Sequence, residues 1–388
     1  MKLSIEEFYQ KELEKFYQIR KKLHSNAELS GKEKETAKIL EQILLESNPD
    51  KIVTKVGGYG LYALFKGKAR GPKIVLRCDI DALPIDESLE IDYASKKQGV
   101  SHKCGHDGHM TIMIGVAKYL SQNRPEYGEV ILLFQPSEED GKGALKVIDD
   151  PKFKEIKPDY IFGLHNIPGF PFGSIILKKG IFASASKGVI CNLKGASSHA
   201  SEPEKGRSPA LALSYIIQGL NSIPQASTSF NESAQITVIY AKLGEIAFGT
   251  SPSLAQIMAT LRSHSNKTME ILTDKSSKLI NKTASTWDLN YSINWTDDFV
   301  ATINNEEAID TIIKAAKQQN LQIQKIEHPV PWSEDFGFFT QHYKGALFGL
   351  GSGINFPSLH DSNYDFPDEL IKEGGKIFIE IVNQLCKI

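Results

Sequence analysis

The stretch SHKCGHDGHM, residues 101–110, puts three histidines, a cysteine and an aspartate within ten positions. Thiolate and imidazole together are the ligands of a borderline-soft divalent cation. By itself Cys104-Gly105-His106 is a weak motif, because a buried cysteine beside a surface histidine reads the same way. Its meaning depends on what else arrives at the same place. Four apolar runs each lead into a polar cluster: IVLRCDI into DALPIDE with Asp79 and Asp81, VILLF into QPSEED with Glu138 and Glu139, YIFGL into HNIPG with His165, and ALFGLGSG, a few residues on, into LHD with His360. Adjacent acids in a loop are usually just solvated. At the buried end of a strand, two carboxylates are costly unless a cation or a shared proton compensates. Cys104, His106, Glu138, Glu139, His165 and His360 together suit zinc, manganese or cobalt far better than calcium. One glutamate can then ligate while its neighbour takes a proton from metal-bound water, whose pKa coordination brings towards roughly 7.

The elements that must position these groups follow from periodicity. KIVLRCDI (73–80), EVILLF (129–134) and DYIFGL (159–164) alternate with segments of helical period, which predicts an α/β sheet buried on both faces. Ligands of such sheets sit beyond the carboxyl ends of the strands, so the polar clusters should converge. One helix is expected from about Asp107, burying Met113, Val116, Ala117 and Leu120. Another is expected at the N-terminus, where Phe8, Leu13, Phe16, Ile19 and Leu23 recur at helical spacing. From about residue 186 the pattern changes. VICNLKG (189–195) reads as a half-buried strand, and Ser208-Pro209 reads as a cap and first turn for a helix through ALALSYIIQGL. QITVIYAKLG, SLAQIMATLRS, a helical NKTMEILTDKSSKLINKT and WDLNYSINW follow. Strand, helix, strand, strand, helix, strand predicts a ferredoxin-like insert. After about 298 the α/β pattern resumes with a helix near 305–320, the strand KGALFGLG (344–351) and a final helix from about Asp368. The expected domains are 1–185 with 299–388, carrying the metal site, and an inserted domain at 186–298.

Bulk properties agree with a multidomain globular chain. A length of 388 residues exceeds what one core usually serves, and 41% apolar with 24% charged residues is ordinary. A net charge of −2 offers no general attraction to nucleic acid or to an anionic membrane, so small molecules or other proteins are the expected partners. No apolar run approaches the roughly 18 residues that span a bilayer. The N-terminal stretch lacks a signal peptide's apolar centre, and Cys78, Cys104, Cys191 and Cys386 are scattered, which fits a cytoplasmic enzyme.

The chain resembles the amidohydrolase and aminoacylase branch of the co-catalytic metallopeptidase superfamily, which includes hippurate hydrolases, indoleacetyl-amino-acid hydrolases and N-acetyl-diaminopimelate deacetylases. The resemblance rests on RKKLHSNAELSGKEKETA, RCDIDALPIDE, HKCGHDGH, FQPSEE, GLHNIPG, KGASSHAS, ATLR, SEDF and LHDSNYDFPDE, in that order and nearly end to end. It implies a zinc-peptidase-like α/β catalytic domain, with a mixed sheet flanked by helices, and an inserted ferredoxin-like lid or dimerisation domain. It further implies two divalent ions held by Cys104, His106, Glu139, His165 and His360, with Cys104 bridging and Glu138 as general base. His199 would stabilise the oxyanion in a neighbouring subunit's site, which implies a homodimer. Arg262 would bind the free carboxylate of the amino acid, and Asp79 and Asp81 would orient ligand imidazoles. For His102 and His109, support of the loop is favoured over ligation, and His24 has no evident partner. The implied reaction is attack by metal-bound hydroxide on the amide of an N-acyl amino acid. The competing expectations are a dipeptidase or carboxypeptidase on the same scaffold, and a metal-binding module without catalysis. Some positions depart from the usual pattern: Ser101 and Lys103 replace methionine and alanine, Ser197-Ser198-His199-Ala200-Ser201 replaces Gly-Gly-His-Ala-Ala, and Gly249 stands where a substrate-binding asparagine is expected.

Overall fold

The computed structural model describes residues 4–388. The chain divides into two compact units, one formed by the residues up to Phe182 with Thr302–Pro329 and Asp335–Ile388, the other by Ala183–Ala301 with Val330–Glu334.

The first unit is built on one eight-stranded sheet in the order Lys51–Val56, Gly60–Lys66, Tyr127–Gln135, Ala69–Asp79, Tyr160–Ile167, Lys344–Gly351, Ile175–Leu177, Ile323–Lys325. The four strands from Tyr127–Gln135 to Lys344–Gly351 are mutually parallel, whereas the hairpin on one side and Ile175–Leu177 on the other join antiparallel. The central strands read as unbroken apolar runs because both of their faces are covered. Ile74, Leu76, Leu132, Phe162 and Phe348 join one core, which also takes residues from the helices Ile5–His24, His106–Gln122, Glu306–Gln318 and Leu370–Cys386. Val75, Ile131, Leu133, Ile161 and Leu347 alternate with them and are equally buried. The N-terminal helix is deeply engaged in this core, since Phe8, Tyr9, Phe16, Arg20, Leu23 and His24 are all buried.

Strand boundaries run a few residues beyond the apolar cores, and 344–351 is strand over its full predicted span. The hairpin Lys51–Val56/Gly60–Lys66 escaped the sequence reading. Its first strand is mostly half-exposed, so it carries little apolar signal.

The second unit contains a four-stranded antiparallel sheet, ordered Ala234–Leu243, Leu254–Ser263, Ala185–Lys194, Asn290–Phe299. Numbered along the chain this is the 4-1-3-2 arrangement of a ferredoxin-like unit. Helices Ala210–Ser227 and Asn266–Thr286 bury Ile216, Leu220, Leu272 and Ile280, and the sheet buries Val189, Cys191, Ile257 and Leu261. The first of these helices starts one residue later than Ser208-Pro209 predicts, with Pro209 at the N-cap, and it runs on through Pro224 to Ser227. Among the described residues no helix is long and apolar enough to cross a membrane.

Candidate active site

The four parallel strands end on the same edge, and each hands over a candidate ligand there. Asp79 closes one strand two residues before Asp81, Gln135 closes another three residues before Glu138, His165 lies near the end of the third, and a loop after Gly351 carries His360. Cys104 comes from the segment before helix His106–Gln122. That helix opens at Gly105, whose φ of 89° is left-handed and whose Cβ position is blocked by the Asn166 side chain at 2.7 Å. A glycine is therefore required between the two candidate ligands.

All six groups named for the metal site meet in the first unit. Cys104, His106 and His165 form one cluster of potential ligand atoms within 4.8 Å of one another, Cys104, Glu139 and His360 a second, and His106, Glu138 and Glu139 a third. The Sγ of Cys104 lies 3.4 Å from His165 Nε2. His106 Nε2 is 4.0 Å from Glu138 Oε2 and 3.9 Å from Glu139 Oε1, which is in turn 3.8 Å from His360 Nε2. Cys104, His106, Glu138 and His165 are buried, whereas the His360 side chain is 51% exposed and forms the outer lip.

Two histidine tautomers are set by the backbone. His106 Nδ1–H donates to the Asp81 carbonyl at 2.9 Å, and His165 Nδ1–H donates to the Asn166 carbonyl at 2.9 Å. Each Nε2 is therefore the nitrogen that faces the cluster and that a metal would take. Buried His106 Nε2 has no hydrogen-bond partner. Burial pushes the His106 pKa down, but the hydrogen bond to Asp81 and the charges of Asp79 and Glu139 outweigh it and lift the value to about 10. Surroundings that hold a proton so firmly also favour a cation, which would displace it. Donor types, an inward Nε2 without a hydrogen-bond partner and a negative field all fit a divalent metal.

Asp81 Oδ2 accepts from Ser30 Oγ at 2.7 Å and from the Glu139 N–H at 3.0 Å, so Asp81 fixes His106 and the acidic turn together. Asp79 pairs with Arg77 at 2.6 Å and also lies within 4.8 Å of the ring nitrogens of His106 and His109. His109 is hydrogen-bonded to Asn166, next to His165, and both ring nitrogens of buried His102 lack hydrogen-bond partners.

Several supporting residues went unread in the sequence. Arg20, Arg77 and Lys103 are wholly buried cations. Arg20 reaches Asp107, Asp365 and Asp368, and Arg77 bonds Gln135, Asp79 and Asp335. Lys103 pairs with Glu87 and donates to the Tyr364 carbonyl at 2.8 Å, while its own carbonyl accepts from the His360 N–H at 2.8 Å. His24 does have partners, Asp107 at 2.8 Å and Glu87 at 2.7 Å. Motifs such as RKKLH and SEDF carry these groups, but a charge in a sequence reads as solvated.

His199 and Arg262 lie in the second unit. His199 is exposed on a two-residue strand paired with Thr250-Ser251. Its Nδ1 accepts from the Ser201 N–H at 3.2 Å and contacts Ser201 Oγ at 2.6 Å, which leaves the proton on Nε2. Exposed Arg262 donates to the Pro331 carbonyl at 3.1 Å and Ser333 Oγ at 3.4 Å. A Cβ at Gly249 would meet nothing within 4 Å, so space does not demand glycine there.

Residues 75–384 match the Peptidase family M20/M25/M40. The chain is 34% identical to a hippurate hydrolase of Campylobacter jejuni over 379 residues, covering 96% of this chain and 97% of that protein. It is 32% identical to an N-acetyl-L-cysteine deacetylase of Bacillus subtilis, covering 86% and 79%. A crystal structure from Bacillus subtilis, described as a dinuclear metal-binding peptidase of the M20 family, superposes with a TM-score of 0.82 at 26% identity, over 98% of this chain and 100% of that one. With the family's fold and a buried cluster of side chains that could hold a metal on one chain, this protein belongs to the M20/M25/M40 peptidase family and is a hydrolase of amide bonds.

Proposed function

We propose that the enzyme cleaves the amide of N-acyl amino acids, releasing a carboxylic acid and the free amino acid. The observation that carries this reading is the pair of ligand trios, Cys104/His106/His165 and Cys104/Glu139/His360, which share Cys104 and have Glu138 beside them. Two divalent cations, zinc, manganese or cobalt, would be held by these five residues, Cys104 being common to both trios. When bound, they supply the positive charge that acidifies a water and polarises the scissile carbonyl.

Glu138 is 5% exposed and lies beside both trios without belonging to either, and its carboxylate would take the proton of the attacking water and return it to the departing amine. His199, with its proton on Nε2, is the donor for the oxyanion, acting on the site of a partner subunit. Arg262 now serves only neutral oxygens, and a substrate carboxylate would form the stronger, charge-assisted bond. The homodimer this requires is supported by the edge strand Ala234–Leu243 and the loop after it, where Ile239, Tyr240, Leu243, Ile246 and Phe248 are exposed, the last two completely. An uncovered apolar strand edge invites pairing. The four buried thiols suit the reducing cytoplasm.

N-acetyl amino acids, aroyl amino acids and dipeptides assayed side by side test the substrate class, and preferential turnover of dipeptides would overturn it. Glu138→Gln should keep the metal content and reduce kcat by about 10²–10⁴-fold. Retained activity would remove Glu138 from its role.

A further inference from the structure

We infer that Glu33 is a positioning residue for the catalytic base: through Ser137 it holds the turn from which Glu138 projects. This deepens the reading above and rests on Glu138 being the base.

Glu33 lies in the ELSGKEKETA segment, which the proposed chemistry leaves without a task. It is completely buried just before helix Lys34–Leu45, yet its side chain makes no capping bond to that helix. Its Oε1 instead accepts from the Gly31 N–H at 2.8 Å, from the Ser137 N–H at 2.9 Å and from Ser137 Oγ at 3.4 Å. Ser137 is the residue directly before Glu138, and its φ of 56° lies in the left-handed region that a serine enters only when its surroundings enforce it. The turn closes on itself, with the Gly143 N–H donating to the Ser137 carbonyl at 2.9 Å and the Gly141 N–H to the Glu138 carbonyl at 2.8 Å. On its other flank the Glu139 N–H is held by Asp81, which Ser30 also engages.

Glu138 is thus bracketed, gripped at 137 by Glu33 and at 139 by Asp81, and both grips lead back to loop 30–33. A side chain kept only to fill space would not be a carboxylate, because Glu33 Oε2 is buried without a hydrogen-bond partner. Burial raises the pKa of this carboxyl, and the charge of Asp81 adds to that rise against the bonds from Gly31 and Ser137.

The test compares Glu33→Ala, Glu33→Gln and the double variant Glu33→Ala/Ser137→Gly in the metal-loaded enzyme, with Glu138→Gln alongside. Glu33→Ala should lower kcat about tenfold or more through misplacement of the base, with KM and metal stoichiometry unchanged. Glu33→Gln keeps an acceptor oxygen and should retain most of kcat. Ser137→Gly should recover part of the loss, since glycine takes a positive φ without strain. If Glu33→Ala does not fold, Glu33→Asp, which keeps the charge but withdraws the acceptor, carries the same expectation and the same refutation. Wild-type kcat in the alanine variant, or a loss relieved by neither Gln nor Ser137→Gly, overturns the inference. An active Glu138→Gln would instead sink the reading of the base, whereas an inactive one beside a fully active Glu33→Ala sinks the brace alone.

Discussion

In the first unit the imidazoles of His106 and His165 are buried and have their tautomers set by the Asp81 and Asn166 carbonyls. In the second, His199 stands on an exposed two-residue strand, and its tautomer is set by its own neighbour, Ser201. One site is over-determined by contacts from four strands and a helix. The other residue is prepared locally and waits for company. The difference teaches that loss of a candidate ligand in the first region should empty the site of metal, whereas loss of His199 should leave the metal content as it was.

The sharpest way to break this contrast is Cys104→Ala. It removes the member common to both ligand trios, so metal content should collapse and activity fall by more than about 10³-fold. Elemental analysis checks the first, and two ions per chain would refute it. His199→Ala should lower kcat about 10²-fold, with metal content and thermal stability unaltered. Mixing it with Glu138→Gln under subunit exchange should recover activity, because one composite site is then intact. Asp81→Asn should weaken metal affinity about 10–100-fold, as loss of a residue that orients ligands does. A metal titration reads this directly.

The smallest expected effect on turnover comes from His24. Burial pushes its pKa down, yet the bonds to Asp107 and Glu87 lift it to about 9 from the ordinary 6.5. A folded pKa above the unfolded one contributes stability that is full below pH 6.5 and is lost as pH rises through 9, in total of the order of 3 kcal/mol. Denaturant unfolding at pH 6 and pH 9.5 should therefore differ more in the wild type than in His24→Leu. Equal differences would show that the network contributes nothing through this proton.

Much of the fold was legible locally. Apolar runs ending in polar clusters announced the parallel strands, and the strand-helix order of 186–298 announced the ferredoxin-like unit. Cys104, His106, Glu138, Glu139, His165 and His360 stood out through their ligand-type donors in polar clusters and through the family resemblance of the motifs that carry them. Glu33, Lys103, Arg20, Arg77 and Asp335 did not, because each is an ordinary charged residue until distant chain buries it. His24 looked solitary for the same reason, since its partners are 63 and 83 positions away.

The sequence alone determined which donor atoms exist, at the ends of which strands, and the periods that make those strands and helices form, because both are properties of neighbouring residues. Only the tertiary structure decided which lone pairs face one another. The tautomer of His106 and the left-handed turn at Ser137 go with hydrogen bonds from remote segments, which no local pattern encodes.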